Sequence, residues 1–588
     1  MNFDAKVASG PLQDRGCTDI ICCLVFVAFL IAWIVIFIYG VSKGTPSILL
    51  TPFDEKGNGC GYSQGFESFP YLFFYAFSPT YINSLANNFT GFTADTILKK
   101  GFCVDSCPVP SDTTANKTLT ELGIRCASFN ASTDNCSSYQ GYNSTVWVQS
   151  FCVPDLAFVR SIAGAATSSA SAVYTTLQKS DTLERWMKDV KLTWWVILIS
   201  LFVAVAIALV YMYFLKCCAG VITWLMLLAL IGVTLGMGFM CWKWQLSKQE
   251  QIDKINNDAD NSDTTSTDQK YVYLLKAFAI IFWCVSCFVF CFVVCCYHKI
   301  ALVIAIIKTT GVFVAEVCSI LLVPLINTLV AGAFAAIWVV GTIYLYSVGT
   351  LEPRTYLPIG QIKWDDTTRK AWYFNLFAIL WIMAFVLSLG NFIIGASCSI
   401  WYFSHDHQGN LHLETGPVRR SYYWVARYHT GSIAFGSFIL AVVWAIRIAF
   451  EYLYKQLDSN KKLSKNRIIK IAMWCMRCCL DCFERIVRFI NKQAFIQIGL
   501  TGKSFCPAAK DGFCVVIGHP VEFALLAGLA QLFMWLGNVV IVGGTLLVSF
   551  AIMRNVPKIE NNLSSPFMPL LVIVLLTKAH FSDWNRGR

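Results

Sequence analysis

Apolar residues in this chain come in long runs rather than in alternation. They fill 20–40, 193–215, 219–241, 271–297, 324–346, 371–400, 430–454 and 523–553, with shorter or charge-interrupted runs at 300–323 and 566–576. A helix rises about 1.5 Å per residue, so about 20 such residues cross the hydrocarbon of a bilayer. Runs this long without period-two alternation exclude barrel strands, and in lipid the helix then remains as the way to satisfy every backbone amide. The pattern predicts an all-α polytopic membrane protein with about ten transmembrane helices, the eight longest runs being the firm ones.

The first run is longer than a signal-peptide core, no small-residue cleavage site follows it cleanly, and it is expected to remain as an anchor. Between it and the second run lie roughly 150 polar-rich residues carrying five N-x-S/T sequons, at Asn88, Asn116, Asn130, Asn135 and Asn143. The same stretch holds Cys60, Cys103, Cys107, Cys126, Cys136 and Cys152. Sequons and an even cysteine count together predict a glycosylated, disulfide-containing extracellular or lumenal loop, with the pairing left open.

Placing that loop outside makes 1–19 a cytosolic tail, 20–40 the first transmembrane helix and 41–192 the extracellular loop. The helix bundle is expected over 193–454, a basic amphipathic cytosolic segment over 455–493, C-terminal transmembrane helices over 494–576, and an atypical C-terminus over 577–588. The linker 242–270 has four lysines against six acids, which suits the outside, whereas 455–493 has ten Lys/Arg against three acids, which suits the cytosol. Simple alternation of spans puts 455–493 on the opposite side. Either 300–323 also crosses, despite Lys308 and Glu316, or one segment is re-entrant.

Composition agrees with a lipid solvent: 56% hydrophobic, 14% charged, mean hydropathy +0.57. The net charge of +11 gathers beside apolar segments, as for a protein facing anionic lipid, and does not indicate a nucleic-acid partner.

The run at 430–454 ends in "WAIRIAFEY", with an arginine and a glutamate four residues apart. Charges near the middle of a membrane helix cost about 2.5–3.5 kcal/mol and far less near an end. Arg447 and Glu451 share a helix face at i,i+4 and are expected to neutralise each other near the membrane boundary, with proton exchange at Glu451 as the functional alternative. "GLTGKS" at 499–504 lacks the first glycine of a phosphate loop, that position being Gln497, and reads as a glycine-stopped helix end. "CMRCCLDC" sets Cys475, Cys478, Cys479 and Cys482 in one stripe of an amphipathic helix expected to lie on the inner leaflet, a poor tetrahedral site. "HDHQGNLH" is expected to be a solvated loop. No nucleophile elbow, HExxH or paired-carboxylate signature is present, so neither an enzyme nor a metal or other cofactor is expected.

The order of parts then becomes specific. "RGCTDI" before the first run, "NGCG" at 58–61, the glycosylated loop, "HKIALVIAIIK" at 298–308, "LLVPLI" at 321–326, "YHTGSIAFGSFILA" at 428–441 and "FINKQAFIQIGLTGKSFC" at 489–506 together resemble the choline transporter-like family. The likeness runs from about residue 15 to about residue 576. It departs after Leu576, and at "TTGVFVAEV" following Lys308, where members carry a charged stretch. The resemblance implies about ten spans, a plasma-membrane or organellar location, and movement of choline or a related organic cation, in exchange for protons in some members.

A trimethylammonium head offers no N–H donor, so it must be held by aromatic faces, worth about 2 kcal/mol or more when desolvated. The mid-span tryptophans are Trp224, Trp338 and Trp381, each within a run that also holds small residues, and they are the expected substrate contacts. Proton exchange needs a titratable group in the bundle. Glu316, Glu451 and His429 are the candidates, with Glu522 a further carboxylate, and Glu316 is preferred because no cation neighbours it in sequence. The alternatives are a channel or lipid-handling protein, a carrier for another cation such as a thiamine derivative or ethanolamine, and a surface recognition protein using the bundle only as an anchor.

Overall fold

The computed structural model describes residues 10–78, 100–108, 117–127, 139–147, 150–154, 186, 188–257, 262–352, 361–404, 416–459, 467–560 and 565–586. Among them eight helical stretches are long and apolar enough to cross a membrane, as an all-α polytopic protein requires.

The central helices are α1 (Ile20–Lys43), and later in the chain α5 (Leu322–Tyr346), α6 (Asp366–Phe403) and α8 (Thr430–Ser459). Helix α1 runs parallel to α5: Trp33 meets Phe334 with ring centroids 5.1 Å apart, and a Cβ added to Gly341 would come within 2.4 Å of the Phe37 ring. Helix α6 returns between them. Its start is capped by Asp365, which accepts from the Thr368 amide at 3.1 Å and satisfies an amide the first helical turn leaves open. Along α6, Thr368 bonds Tyr39, Asn375 bonds Trp33, and the Trp381 ring lies tilted against Phe26 with centroids 5.3 Å apart. Helix α8 then repeats the direction of α1. The bundle therefore has two ends, an amino-terminal end at Asp19 and a loop end at Lys43.

The loop end carries a small domain. Strands β1 (Tyr71–Phe73), β2 (Phe102–Val104), β3 (Ser144–Trp147) and β4 (Phe151–Pro154) form a sheet in the order β2-β1-β4-β3, with β1 parallel to β4 and the other pairs antiparallel. Cys60–Cys103 and Cys107–Cys152 bridge it with Cα separations of 5.3 and 5.4 Å, and Cys126 is also disulfide-bonded. Cys136, Asn88, Asn116, Asn130 and Asn135 lie outside the described residues. A second hairpin, β5 (Thr350–Glu352) with β6 (Gln361–Lys363), joins α5 to α6 at the same end.

The periphery differs from the sequence expectation. The runs 193–215 and 219–241 were expected to be two spans, and the structure has one helix, α2 (Trp194–Asn257), of 64 residues, about 96 Å long at the usual rise. Membrane thickness asks for a reversal near Lys216–Gly220. The residues there include one glycine and no proline, so local propensity carries the helix through. Helices α3 (Ser262–Cys295) and α4 (Tyr297–Glu316) run back along it, with Gly238 against Trp283 and Gly311 against Lys216. The charge-interrupted run 300–323 becomes α4 plus a 3-10 turn, Cys318–Leu321, leading into α5.

After α6 come α7 (Pro417–Trp424), a π-turn (Val425–His429) and α8. Next are α9 (Arg467–Thr501), α10 (Phe505–Gly518), α11 (Pro520–Asn555), the short α12 (Pro557–Glu560) and α13 (Phe567–Arg586). The segment 455–493 is divided: 455–459 finish α8, and 467–493 belong to α9. Asn491 donates to Gly436 O at 2.8 Å and Arg477 pairs with Glu451 at 3.0 Å. Helix α9 is thus antiparallel to α8 from Arg477 to Asn491 and packs against the bundle. Its cysteines Cys475, Cys478, Cys479 and Cys482 are exposed.

Replacing Cys107 and Cys152 by serine should lower the stability of the loop domain by about 2–4 kcal/mol, the usual worth of a bridge. Thermal unfolding of the purified protein checks this, and peptide mapping without reduction should recover the Cys60–Cys103 and Cys107–Cys152 pairs.

Candidate functional site

Helix α9 stops at Thr501 because Gly502 turns into the left-handed region at φ +67°, returning its amide to Ile498 O at 2.9 Å. This is the glycine-stopped end the sequence suggests. Helix α10 leads back out: Gly512 meets the Gln493 backbone so closely that an added Cβ would sit 3.2 Å from Gln493 O. The pair is a hairpin: Ala494, Phe495 and Ile498, in the last turns of α9, are at most 1% exposed and pack on Phe392, Ile393 and Ala396, and Thr501–Ser504 at the tip are half-buried. A half-buried helix terminus has carbonyls and amides that its own turn leaves open and that water reaches only in part.

The amino-terminal segment supplies the missing partners. Arg15 donates to Ile498 O at 3.1 Å and to Gly499 O at 2.6 Å, and the Leu12 amide donates to Leu500 O at 3.2 Å. Asp19 accepts from the Phe505 amide at 2.9 Å, at the start of α10. A cation thus sits at the C-terminus of one helix and an anion at the N-terminus of the next, the sense the helix dipoles favour. The Arg15 guanidinium also lies 3.6 Å from the Trp424 ring centroid. Burial, with Arg420 nearby, lowers its pKa to about 10, which leaves it cationic at neutral pH.

His429 closes the knot. It is fully buried, with Nε2 3.1 Å from Arg15 Nη1 and Nδ1 2.9 Å from Thr18 Oγ1. Arginine only donates, so Nε2 accepts and Nδ1 carries the proton toward Thr18, a tautomer assigned from the network. Thr18 also bonds Tyr428 O and Ser432, and Ser432 donates to Asp19. Gly431 makes the approach possible: an added Cβ would fall 2.1 Å from Asp19 O. "RGCTD", "YHTGS" and "GLTGKSF", which lie more than 400 residues apart at the extremes, form one clasp here.

The charges of "WAIRIAFEY" pair differently from the i,i+4 expectation. Arg447 bonds Glu484, and Asp481 at 3.0 Å, both on α9, while Glu451 takes Arg477. Helix α9 presents acids opposite Arg447, so the neutralisation is between helices. Glu522 pairs with Lys299 at 3.1 Å. Glu316, the last residue of α4, is exposed and accepts from the Trp401 indole at 2.8 Å.

The three expected substrate tryptophans lie in three packing groups, and no ring contact joins any two of them. Trp224 is half-buried beside Tyr297 at 5.4 Å, among Leu227, Ile300 and Leu529. Trp338 donates to Asn375 O at 2.9 Å. Trp381 is 4% exposed, donates to Ala434 O at 3.3 Å and is surrounded by Phe26, Phe29 and Phe438. Arg15, Asp19 and Glu484 had no role from sequence. The first two stand in the quoted "RGCTDI", and the third is one of three acids in a basic segment. A cavity of about 400 Å³ lies elsewhere, between α2, α5 and α11, lined by Leu209, Met212, Leu321, Leu325, Phe533 and Ile541 among others.

Residues 280–581 match a family model described as "Plasma-membrane choline transporter". Across nearly the whole chain there is similarity to choline transporter-like protein 2 of Xenopus laevis, 26% identical with 96% of this chain and 88% of that protein covered. Choline transporter-like protein 2 of Dictyostelium discoideum is also 26% identical, covering 96% and 87%. Choline transporter-like protein 1 of Caenorhabditis elegans is 26% identical, covering 95% and 81%.

Arg15→Ala should destabilise the protein by about 1.5–3 kcal/mol, the worth of hydrogen bonds to a charged group with buried partners left behind. Asp19→Asn should cost less, because the amide oxygen still accepts from Phe505. Thermal unfolding in detergent micelles would show this order, and Gly431→Val should abolish folded yield.

Proposed function

The chain belongs to the plasma-membrane choline transporter family, and on that premise we propose that it carries choline or a closely related organic cation across the membrane. The observation that carries the reading is the family match over 280–581, which takes in α4 to α11 and hence the α9–α10 hairpin with His429. The mechanism proposed is carriage by conformational change, with no covalent chemistry. A permanent cation gives up its water only where aromatic faces and carboxylates replace it, and a carrier must close one end before opening the other.

The clasp supports a role as the closed gate at the amino-terminal end, taken as cytosolic, with the sequon-bearing loop outside. It joins three separate parts of the chain through side-chain bonds that can break together, the kind of bistable contact a gate needs. The proposal includes exchange against protons. Of Glu316, Glu451 and His429, His429 is the group whose partners, Arg15 and Thr18, belong to the gate itself, so its protonation would remove the acceptor that Arg15 uses. A lipid-handling function has one observation in its favour, the apolar cavity between α2, α5 and α11.

Full-length protein in liposomes should take up labelled choline saturably, with entry suppressed by excess unlabelled choline and stimulated by an outwardly directed proton gradient. His429→Gln should keep part of the uptake and lose the gradient response. Uptake equal to empty liposomes, or conductance without saturation, would overturn the carrier reading.

A further inference from the structure

Trp444 on α8 and Glu484 on α9 form a box of one aromatic face and one carboxylate, and a cation already fills it. The Trp444 indole donates to Glu484 Oε1 at 3.0 Å, and Glu484 is 6% exposed. The Arg488 guanidinium lies 5.3 Å from the Trp444 ring centroid, and its Nε donates to the same carboxylate oxygen at 3.0 Å. Arg447 occupies the other oxygen, Glu484 Oε2. Buried Val443 and Val487 stand beside the box in the hydrophobic core that α8 shares with α1 and α6, and the partial burial of Trp444 and Arg488 strengthens their cation–π contact.

Among the described residues the combination occurs once. Trp381 has aromatic neighbours and bonds a backbone carbonyl rather than an acid. Trp401 bonds Glu316 but has Phe313 against its ring at 5.2 Å. Trp424 carries Arg15, which also bonds Ile498 O, Gly499 O and Leu12 O, so that guanidinium is a structural clamp. Among the described residues, an aromatic face, a buried acid and a side-chain cation meet at Trp444.

We infer that Trp444 and Glu484 recognise the cationic head of the transported molecule, and that Arg488 is a tethered occupant the substrate displaces. This rests on the carrier reading and names its site. Exchanging one monovalent cation for another leaves the charge beside Glu484 unchanged, with Arg447 still on its other oxygen, and the displaced Arg488, whose side chain is 19% exposed, turns toward the outside of the helix pair. A quaternary ammonium cannot donate to Glu484 as Arg488 does, and the Trp444 indole still does, so the carboxylate keeps a hydrogen bond after exchange. Arg488 and Glu484 ride on α9 while Trp444 stays on α8, so a shift of one helix along the other opens the box and lets Arg488 return as substrate leaves.

The test uses the full chain in liposomes, with labelled choline as probe. Trp444→Leu should raise KM by about tenfold with maximal rate within about twofold, and Trp444→Phe should raise it only about two- to threefold, because a smaller aromatic face remains. Arg488→Gln should lower KM, the reverse of what loss of a structural pair would do. Unchanged KM in Trp444→Leu, or a raised KM in Arg488→Gln, would overturn the assignment. Should Trp444→Leu fold poorly, the Trp444→Phe and Arg488→Gln shifts decide. Choline-dependent thermal stabilisation in micelles separates the two readings: stabilisation of the wild type that Trp444→Phe weakens, without any uptake, keeps the site and removes the carrier function.

Discussion

A helix end packed beside an apolar core has backbone groups that its own turn cannot satisfy and that water reaches only in part, and the α9–α10 hairpin has two such ends side by side. Everything at the amino-terminal end follows from answering that need. Arg15 meets the carbonyls closing α9 and Asp19 meets the amide opening α10, each with the charge that the local helix dipole favours. The segment before α1 is thereby tied to the bundle through Arg15, Thr18 and Asp19. Gly431 and Gly502 are there for the same reason, one allowing the approach of Asp19 and the other the turn itself.

Charge inside the rest of the bundle obeys a related rule. Arg447, Asp481, Glu484, Arg488, Glu451 and Arg477 form a ladder between α8 and α9 in which each acid has a basic partner. Such ladders add little net stability, since desolvation consumes most of the attraction, but breaking one partner away is costly. They therefore fix the register of two helices tightly while allowing a concerted exchange of partners. For a carrier of cations that is a useful property, because the substrate is itself a possible partner.

The two polar assemblies, clasp and ladder, share α8 and α9 and stand at different heights along them. A displacement of α9 relative to α8 would be felt at both. The Arg15–His429 clasp at one end and the Trp444–Glu484 contact thus rest on the same helix pair.

Much was legible in the residues alone. Apolar runs of bilayer length dictate a helical membrane protein because lipid allows few other ways to pair a backbone. Cysteines among sequons marked the loop domain, glycine at 502 marked a helix stop, and the short stretches "YHTGSIAFGS" and "FINKQAFIQIGLTGKSFC" marked the family. These features depend on local composition or on the solvent, and both are written in consecutive residues. The partners of Arg447 were not legible, nor was the dispersal of Trp224, Trp338 and Trp381 into separate packing groups, nor the continuity of α2 through Lys216–Gly220. Periodicity tells which face of a helix is apolar. It does not tell which other helix that face meets or at what height, and contacts such as Arg15 with Gly499, 484 residues apart, arise only when tertiary packing sets that register.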